Sequence, residues 1–500
     1  MQYKSTRNSS ISITSAEAIK QGLSVEGGLF VPEMIPEISP SEIESLADLN
    51  YRQRAKVILS KFLTDFTEEE LETCINKAYT REKFGSENIA PVYKLNDNEY
   101  ILELWHGPTC AFKDMALQIL PHLLTTSMKK TGETDEVVIL VATSGDTGKA
   151  ALEGFRDVNG TRIVVFYPNN GVSEIQKLQM VTQEGNNVGV AAVSGNFDDA
   201  QSGVKKIFTD ESYKDVLLHN NFKLSSANSI NWGRLVPQIV YYFSAYADLL
   251  KADEIKMGDK INIVVPTGNF GNILASYYAY KMGLPVNKFI CASNKNNVLT
   301  DFIKTGVYNK NREFHTTISP SMDILISSNL ERFLFDLSGG DDNIIADWMA
   351  KLANEGIYEV SSDVKKQLAD IFAGGAADDE ETMQAIKKCK DEYSYVMDTH
   401  TAVAKFVYDK YVEETGDKTK TVIASTASPF KFNQSVLIAL SGHSSVAGQD
   451  EFALLNKLAE ISGMDIPESL AGLKDKPQLF NTVCEKEQMI QIVSDFLQIG

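Results

Sequence analysis

The sequence predicts an α/β protein whose parallel sheets are wrapped by helices. From about residue 96 onward, short unbroken apolar runs alternate with helical stretches. Each run ends in a turn, often Gly-containing, that opens the next stretch, which is the signature of consecutive β-α units. Size is the third observation. With 500 residues, 43% hydrophobic and 23% charged, the chain can build a sizeable core in several domains of roughly 100–200 residues each.

The elements follow in order. The first 95 residues mix turn-rich pieces such as "SVEGGLFVPEMIP" with the helical "PSEIESLADLNYRQRAKVILSKFL", and hold no βαβ unit. "EVVILVAT" is a continuous apolar run of the kind buried on both faces of a parallel sheet; it leads through "TSGDTG" into the helical "KAALEGFRDV". "RIVVFYP" is followed by "SEIQKLQMVTQ", and "NVGVAAVSG" by "FDDAQSGVKKIF". "KINIVVP" passes through "TGNFGN" into "ILASYYAYKMG", "KFICASN" leads into "NNVLTDFIKTG", and "KTVIASTAS" is a further strand. In such sheets ligands bind at the carboxyl ends of strands, where these Gly-rich turns lie.

Charge and cysteine usage exclude several functions. A formal net charge of −19 argues against a nucleic-acid or anionic-membrane surface, both of which favour basic footprints. The acidic run "DDEE" at 378–381 reads as a solvated loop before a helix. The cysteines are Cys74, Cys110, Cys291, Cys389 and Cys484; they form no C-x-x-C pair, so neither a disulfide framework nor a zinc knuckle is expected. "MQYKSTRNSSISIT" lacks the apolar stretch of a secretion signal, and no apolar run approaches a membrane span. A cytoplasmic enzyme with a small-molecule substrate is the expectation, with monomer and dimer both open.

Lys113, in "HGPTCAFKDMALQIL", sits among Gly, Pro and apolar residues, where an ammonium is costly unless paired or neutralised. Two turns, "TSGDTGK" (Thr143–Lys149) and "PTGNFGN" (Pro266–Asn272), follow strands and open helices, so their N–H groups can converge on an anion. Neither is a nucleotide loop. G-x-x-x-x-G-K-[ST] fails because Thr143 stands at the first Gly and Ala150 follows Lys149, and G-x-G-x-x-G is absent from both turns. A phosphorylated carbonyl cofactor that forms an imine with lysine would use both turns and the lysine, and pyridoxal phosphate is that cofactor.

"STR", "GLSVEGGLFVP", "HGPTCAFKDMALQ", "VATSGDTGKAAL", "PTGNFGNILA", "ASNKNNVLTDFIKTGVY", "SPSMDILISSNLERFL" and "MDTHTAVA" occur in that order. Through them nearly the whole chain resembles the threonine synthase family, of the longer bacterial and fungal kind. The resemblance implies a fold type II pyridoxal phosphate enzyme, similar to the tryptophan synthase β chain, with two open parallel-sheet domains and the cofactor between them. It implies a family-specific N-terminal domain (1–95), a large domain (96–130 and 236–440), a small domain (131–235) and a C-terminal helical segment (441–500). The implied activity is that of a carbon–oxygen lyase of threonine biosynthesis, converting O-phospho-L-homoserine and water to L-threonine and phosphate.

The family motifs imply a cofactor-binding and catalytic lysine at Lys113 and a phosphate cup at Gly268, Asn269, Phe270, Gly271 and Asn272. They put Asp146 at the cofactor's 3′-oxygen, where many relatives have Asn, and Thr426 at the pyridine nitrogen, with Ser428 where His is common. "ANSINWGRL" resembles the segment that holds the substrate phosphate, which maps to Asn228 and Arg234. Ser144 and Thr147 are expected to meet the substrate carboxylate. Lys149 is read either as an assistant or as a helix-face charge, and His106 as orienting the substrate or packing in its loop. His400 is expected to cap a helix or fill a satisfied interior position, and Cys110 to be a buried filler. A desolvated Lys113 has its amine pKa lowered, which suits it to shuttle protons. Two alternatives stand beside the synthase: a related phospho-lyase that releases a keto acid, and a non-catalytic homologue.

Overall fold

The protein is described here from a computed structural model that covers residues 1–143, 145–169 and 172–499. Two parallel sheets organise it. The larger has six strands in the order Phe372–Ala376, Val286–Ser293, Ile261–Pro266, Thr421–Ser425, Glu99–Glu103 and Val92–Lys94, all parallel except the last. The smaller has five, in the order Val483–Cys484, Val188–Val193, Thr161–Pro168, Glu136–Ala142 and Phe222–Ser225, all parallel. The central strands are buried along their length, as their unbroken apolar runs require.

All six apolar runs singled out in the sequence are strands. The strands not anticipated lack that signal. Glu99–Glu103 carries only three apolar residues, and Phe372–Ala376 reads "FAGGA", with two glycines where branched side chains are usual. Residues 441–500, expected to be helical, need a correction. They also carry the two-residue strand Val483–Cys484, which extends the small sheet beside Val188–Val193, and the helix Met489–Leu497 packs behind it. So short a strand is specified by its neighbour rather than by its own composition. The acidic run is corrected as well: Asp378 caps the helix Asp379–Tyr393 and the other three residues form its first turn, where the helix dipole favours carboxylates.

The N-terminal residues form a three-stranded antiparallel sheet, in the order Asn8–Ile13, Tyr3–Ser5, Phe30–Pro32, followed by helices. They pack on the helix Trp232–Lys251, which is buried on nearly every face. Tyr3 meets the Trp232 ring edge-on at 5.3 Å, and Arg54 pairs with Asp248 at 2.6 Å. Among the described residues no helix is long and apolar enough to cross a membrane.

Candidate active site

The loop that carries Lys113 is folded by the residue after it. The buried Asp114 carboxylate accepts from the Thr109 amide (2.8 Å) and hydroxyl (2.8 Å), and burial pushes its pKa up to about 6. Cys110 adopts φ 58° within this turn, and burial raises its thiol to about 11, so it is an inert filler as expected. The loop is zipped to the segment 426–428: Phe112 N–H donates to the Thr426 carbonyl (2.8 Å) and Ser428 N–H to the Cys110 carbonyl (3.0 Å). Thr426 is thereby fixed one residue pair away from Lys113.

Lys113 ends in a dense charge cluster, although its side chain keeps 11% exposure to the cleft. Its amine lies 3.6 Å from Asp146 Oδ2 and donates to Ser321 Oγ at 3.2 Å. Desolvation lowers its pKa; Asp146 opposes the shift, and the charges of Lys431 and Arg234 add to it. The Asp146 carboxylate is held below its usual range despite burial, because Lys431 bonds Oδ1 at 2.6 Å, Lys113 faces Oδ2 and Gln176 donates at 3.1 Å.

Lys431 is the residue that motif reasoning missed. Its side chain is 0% exposed and its amine also donates to the Thr109 carbonyl at 2.9 Å. A lysine between two phenylalanines in "PFKF" was the available signal, of the same kind that singled out Lys113.

The turn before the helix Asp146–Phe155 is organised by Thr143, whose hydroxyl accepts from the amides of Gly145 and Gly148, both at 3.0 Å. Gly145 takes φ 148°, and a Cβ there would lie 2.4 Å from the Gln176 amide nitrogen, so only glycine fits. Thr147 is half-buried on the first turn. Ser144 lies outside the described residues. Lys149 faces Glu153 (3.0 Å) and Gln183 instead of the cluster, the helix-face reading.

The second turn makes a cradle. Phe270 adopts φ 62° and starts the helix Gly271–Lys281 without a side-chain cap, while its ring packs on Phe333 and Phe372 in the core. Only its backbone is therefore available to a ligand. A Cβ on Gly268 would sit 2.7 Å from the Ser321 carbonyl oxygen, so the turn and the Lys113 amine converge on the same residue. Asn272 accepts from Tyr241 (2.7 Å) and Tyr242 through Oδ1, while its buried Nδ2 has no partner among the described residues. Asn269 is exposed at the tip of the turn.

An uncapped helix start, an unused buried amide donor, a glycine without room for a Cβ and a depressed lysine amine fit a phosphorylated carbonyl cofactor. Ser321 is itself positioned: its N–H donates at 3.1 Å to His400 Nε2, while His400 Nδ1 bonds Asp398 at 2.9 Å. His400 thus fills a satisfied interior position. His106 Nε2 bonds Glu103 at 2.7 Å and its ring stacks on Trp105, the packing reading.

Arg234, on the first turn of the helix Trp232–Lys251, is buried. One nitrogen donates to the Ala227 carbonyl at 2.9 Å, but Nε has no partner and no carboxylate pairs with the group among the described residues. Burial pulls its pKa down to about 10. Asn228, expected beside it, is an exposed loop residue.

Family profiles match three successive stretches: "Threonine synthase N terminus" over residues 2–79, "Pyridoxal-phosphate dependent enzyme" over 86–364, and "Threonine synthase, C-terminal" over 401–494. The chain is 41% identical over 435 residues to human threonine synthase-like 1, which takes in 85% of this chain but spans only 58% of that protein's length. It is 36% identical over 494 residues to the threonine synthase of Methylobacillus glycogenes, covering 97% of each. The crystal structure of PLP-bound threonine synthase from Brucella melitensis superposes with a TM-score of 0.88 at 33% identity, over 100% of this chain and 99% of that one.

Proposed function

The chain belongs to the threonine synthase family of pyridoxal-phosphate-dependent enzymes, and from that premise we propose that it converts O-phospho-L-homoserine and water to L-threonine and phosphate. The observation that carries this reading is Arg234. A buried guanidinium with no carboxylate and no partner for Nε among the described residues is expensive, and its natural counter-ion is a phosphate brought in by the substrate.

Pyridoxal phosphate supplies electron withdrawal that makes protons near the substrate's amino group labile. In our reading Lys113 would anchor it, the 268–272 turn would hold its phosphate, Asp146 would serve its 3′-oxygen and Thr426 its pyridine nitrogen. The rest is done by this chain's groups. Arg234, with Asn228 at the loop rim, binds the phosphate that leaves from Cγ. The "TSGDTG" turn, with Ser144 and Thr147, orients the carboxylate. The Lys113 amine takes protons from Cα and Cβ, one proton is delivered to Cγ before water adds at Cβ, and one returns to Cα afterwards; a lowered pKa suits the amine to both directions.

A reducing, cytoplasmic setting accompanies this proposal, supported by five free, buried cysteines. One second reading, a phospho-lyase that releases a keto acid, would use the same Lys113 amine and the same unpaired Arg234. Incubation with O-phosphohomoserine tests both. Threonine and phosphate in equal amounts are expected; phosphate with a keto acid and no threonine would overturn the synthase reading.

A further inference from the structure

Two stretches that carry the family resemblance, "STR" at 5–7 and "SSNLERF" at 327–333, meet in space and do no chemistry in the reading above. Thr6 donates to Glu331 Oε1 (2.5 Å), and Arg7 grips the same carboxylate with both Nε (2.9 Å) and Nη2 (2.7 Å). The next residue, Arg332, is 0% exposed. Its Nε donates to the Phe30 carbonyl (2.9 Å) in the N-terminal sheet, its Nη1 to Asn329 Oδ1 (2.7 Å) and its Nη2 to the Ile230 carbonyl (2.6 Å).

The far side of this short stretch holds the 266–272 turn and the segment that precedes Arg234. Ser327 Oγ donates to the Gly268 carbonyl (2.7 Å), Asn329 N–H to the Asn269 carbonyl (3.0 Å), and Asn329 Nδ2 to the Ser229 carbonyl (3.2 Å). Residues 268 and 269 belong to the candidate cofactor-phosphate cradle. Residues 229 and 230 lie in the segment that leads into Arg234.

No carboxylate among the described residues pairs with Arg332, and burial pulls its pKa down to about 10. Filling the same space with an apolar side chain would avoid that desolvation. What a guanidinium offers is a rigid planar fork that satisfies three acceptors at once, one in its own stretch and one in each of two distant segments.

We propose that Arg332 is a positioning residue that ties the N-terminal sheet to both phosphate sites, fixing the 268–269 and 229–230 backbones relative to each other. On this view the N-terminal module acts as a brace behind the two anion sites. The inference rests on the reading that the cradle takes pyridoxal phosphate.

The test titrates the full-length chain, stripped of cofactor, with pyridoxal phosphate and separately with pyridoxal, which lacks the phosphate. Arg332→Met is expected to weaken pyridoxal phosphate binding about tenfold, as loss of an outer-shell partner does. It is expected to change pyridoxal binding by less than about twofold and to raise the KM for O-phosphohomoserine more than it lowers kcat. Should that variant fail to fold, Arg7→Gln cuts the same linkage at its half-buried end, and an effect of about threefold with the same discrimination is expected. Folded variants that match the wild type, or that lose both ligands equally, overturn the inference. A wild-type protein that takes up no pyridoxal phosphate overturns the functional reading instead, and this one with it.

Discussion

Lys431→Met is the most telling perturbation, because it removes a buried cation that does not belong to the covalent chemistry. Lys431 is 0% exposed, Asp146 has 4% of its side chain exposed, and their charged atoms are 2.6 Å apart. Removing one partner of a buried pair costs about 3–5 kcal/mol. Lys113 stays 3.6 Å from the carboxylate and retains part of the attraction, so about 3 kcal/mol applies here. The Thr109 carbonyl, left without its donor, adds about 1 kcal/mol. A total of about 4 kcal/mol is expected near pH 7.

The pH dependence distinguishes this mechanism from a packing defect. In the native protein burial raises the Asp146 pKa, and the two lysines more than reverse it. A depressed carboxylate contributes stability that is present above its unfolded pKa and lost only as pH falls through the folded one. Without Lys431, burial is opposed only by Lys113 and the Gln176 donor, the Asp146 pKa rises, and the carboxyl is neutralised as pH drops. The destabilisation is therefore largest near neutrality and shrinks on acidification. Urea denaturation of the cofactor-free chain across pH, in a cycle with Asp146→Asn, measures it. A coupling of about 2 kcal/mol or more is expected. A loss below about 1 kcal/mol that is the same at every pH would refute the reasoning.

Lys113→Ala should abolish borohydride-trapped cofactor and lower kcat by about a thousandfold or more, read by peptide mapping and turnover; a trapped adduct on another lysine would sink the assignment. Arg234→Met should reduce kcat/KM for O-phosphohomoserine by about 30- to 100-fold and abolish competitive inhibition by phosphate, whereas unchanged inhibition would place the substrate phosphate elsewhere. Gly268→Ala, which would put a Cβ 2.7 Å from the Ser321 carbonyl, should cost about 1–3 kcal/mol of cofactor affinity with the fold intact by circular dichroism. If Thr426 supplies the neutral hydroxyl at the pyridine nitrogen, as proposed, Thr426→Asp should change the ratio of threonine to keto acid, and an unchanged ratio would count against that role.

What was legible in the chain is what physics encodes locally. Runs such as "EVVILVAT" and "KINIVVP" state their own burial, so the parallel sheets followed from them, and the turns at 143–149 and 266–272 followed from glycines at strand–helix junctions. Lys113 stood out because a charge in an apolar setting is a local contradiction. Arrangements whose energy lies in partners distant along the chain were not legible. "FAGGA" and "VC" are strands only because a neighbouring strand supplies the hydrogen bonds. Lys431 reads as one more charge until folding brings it against Asp146, and Arg332 as one more helix-face charge until the carbonyls of two distant segments converge on its fork. Sequence patterning states which residues must leave water; only the packed structure decides which charges find each other once they have left it.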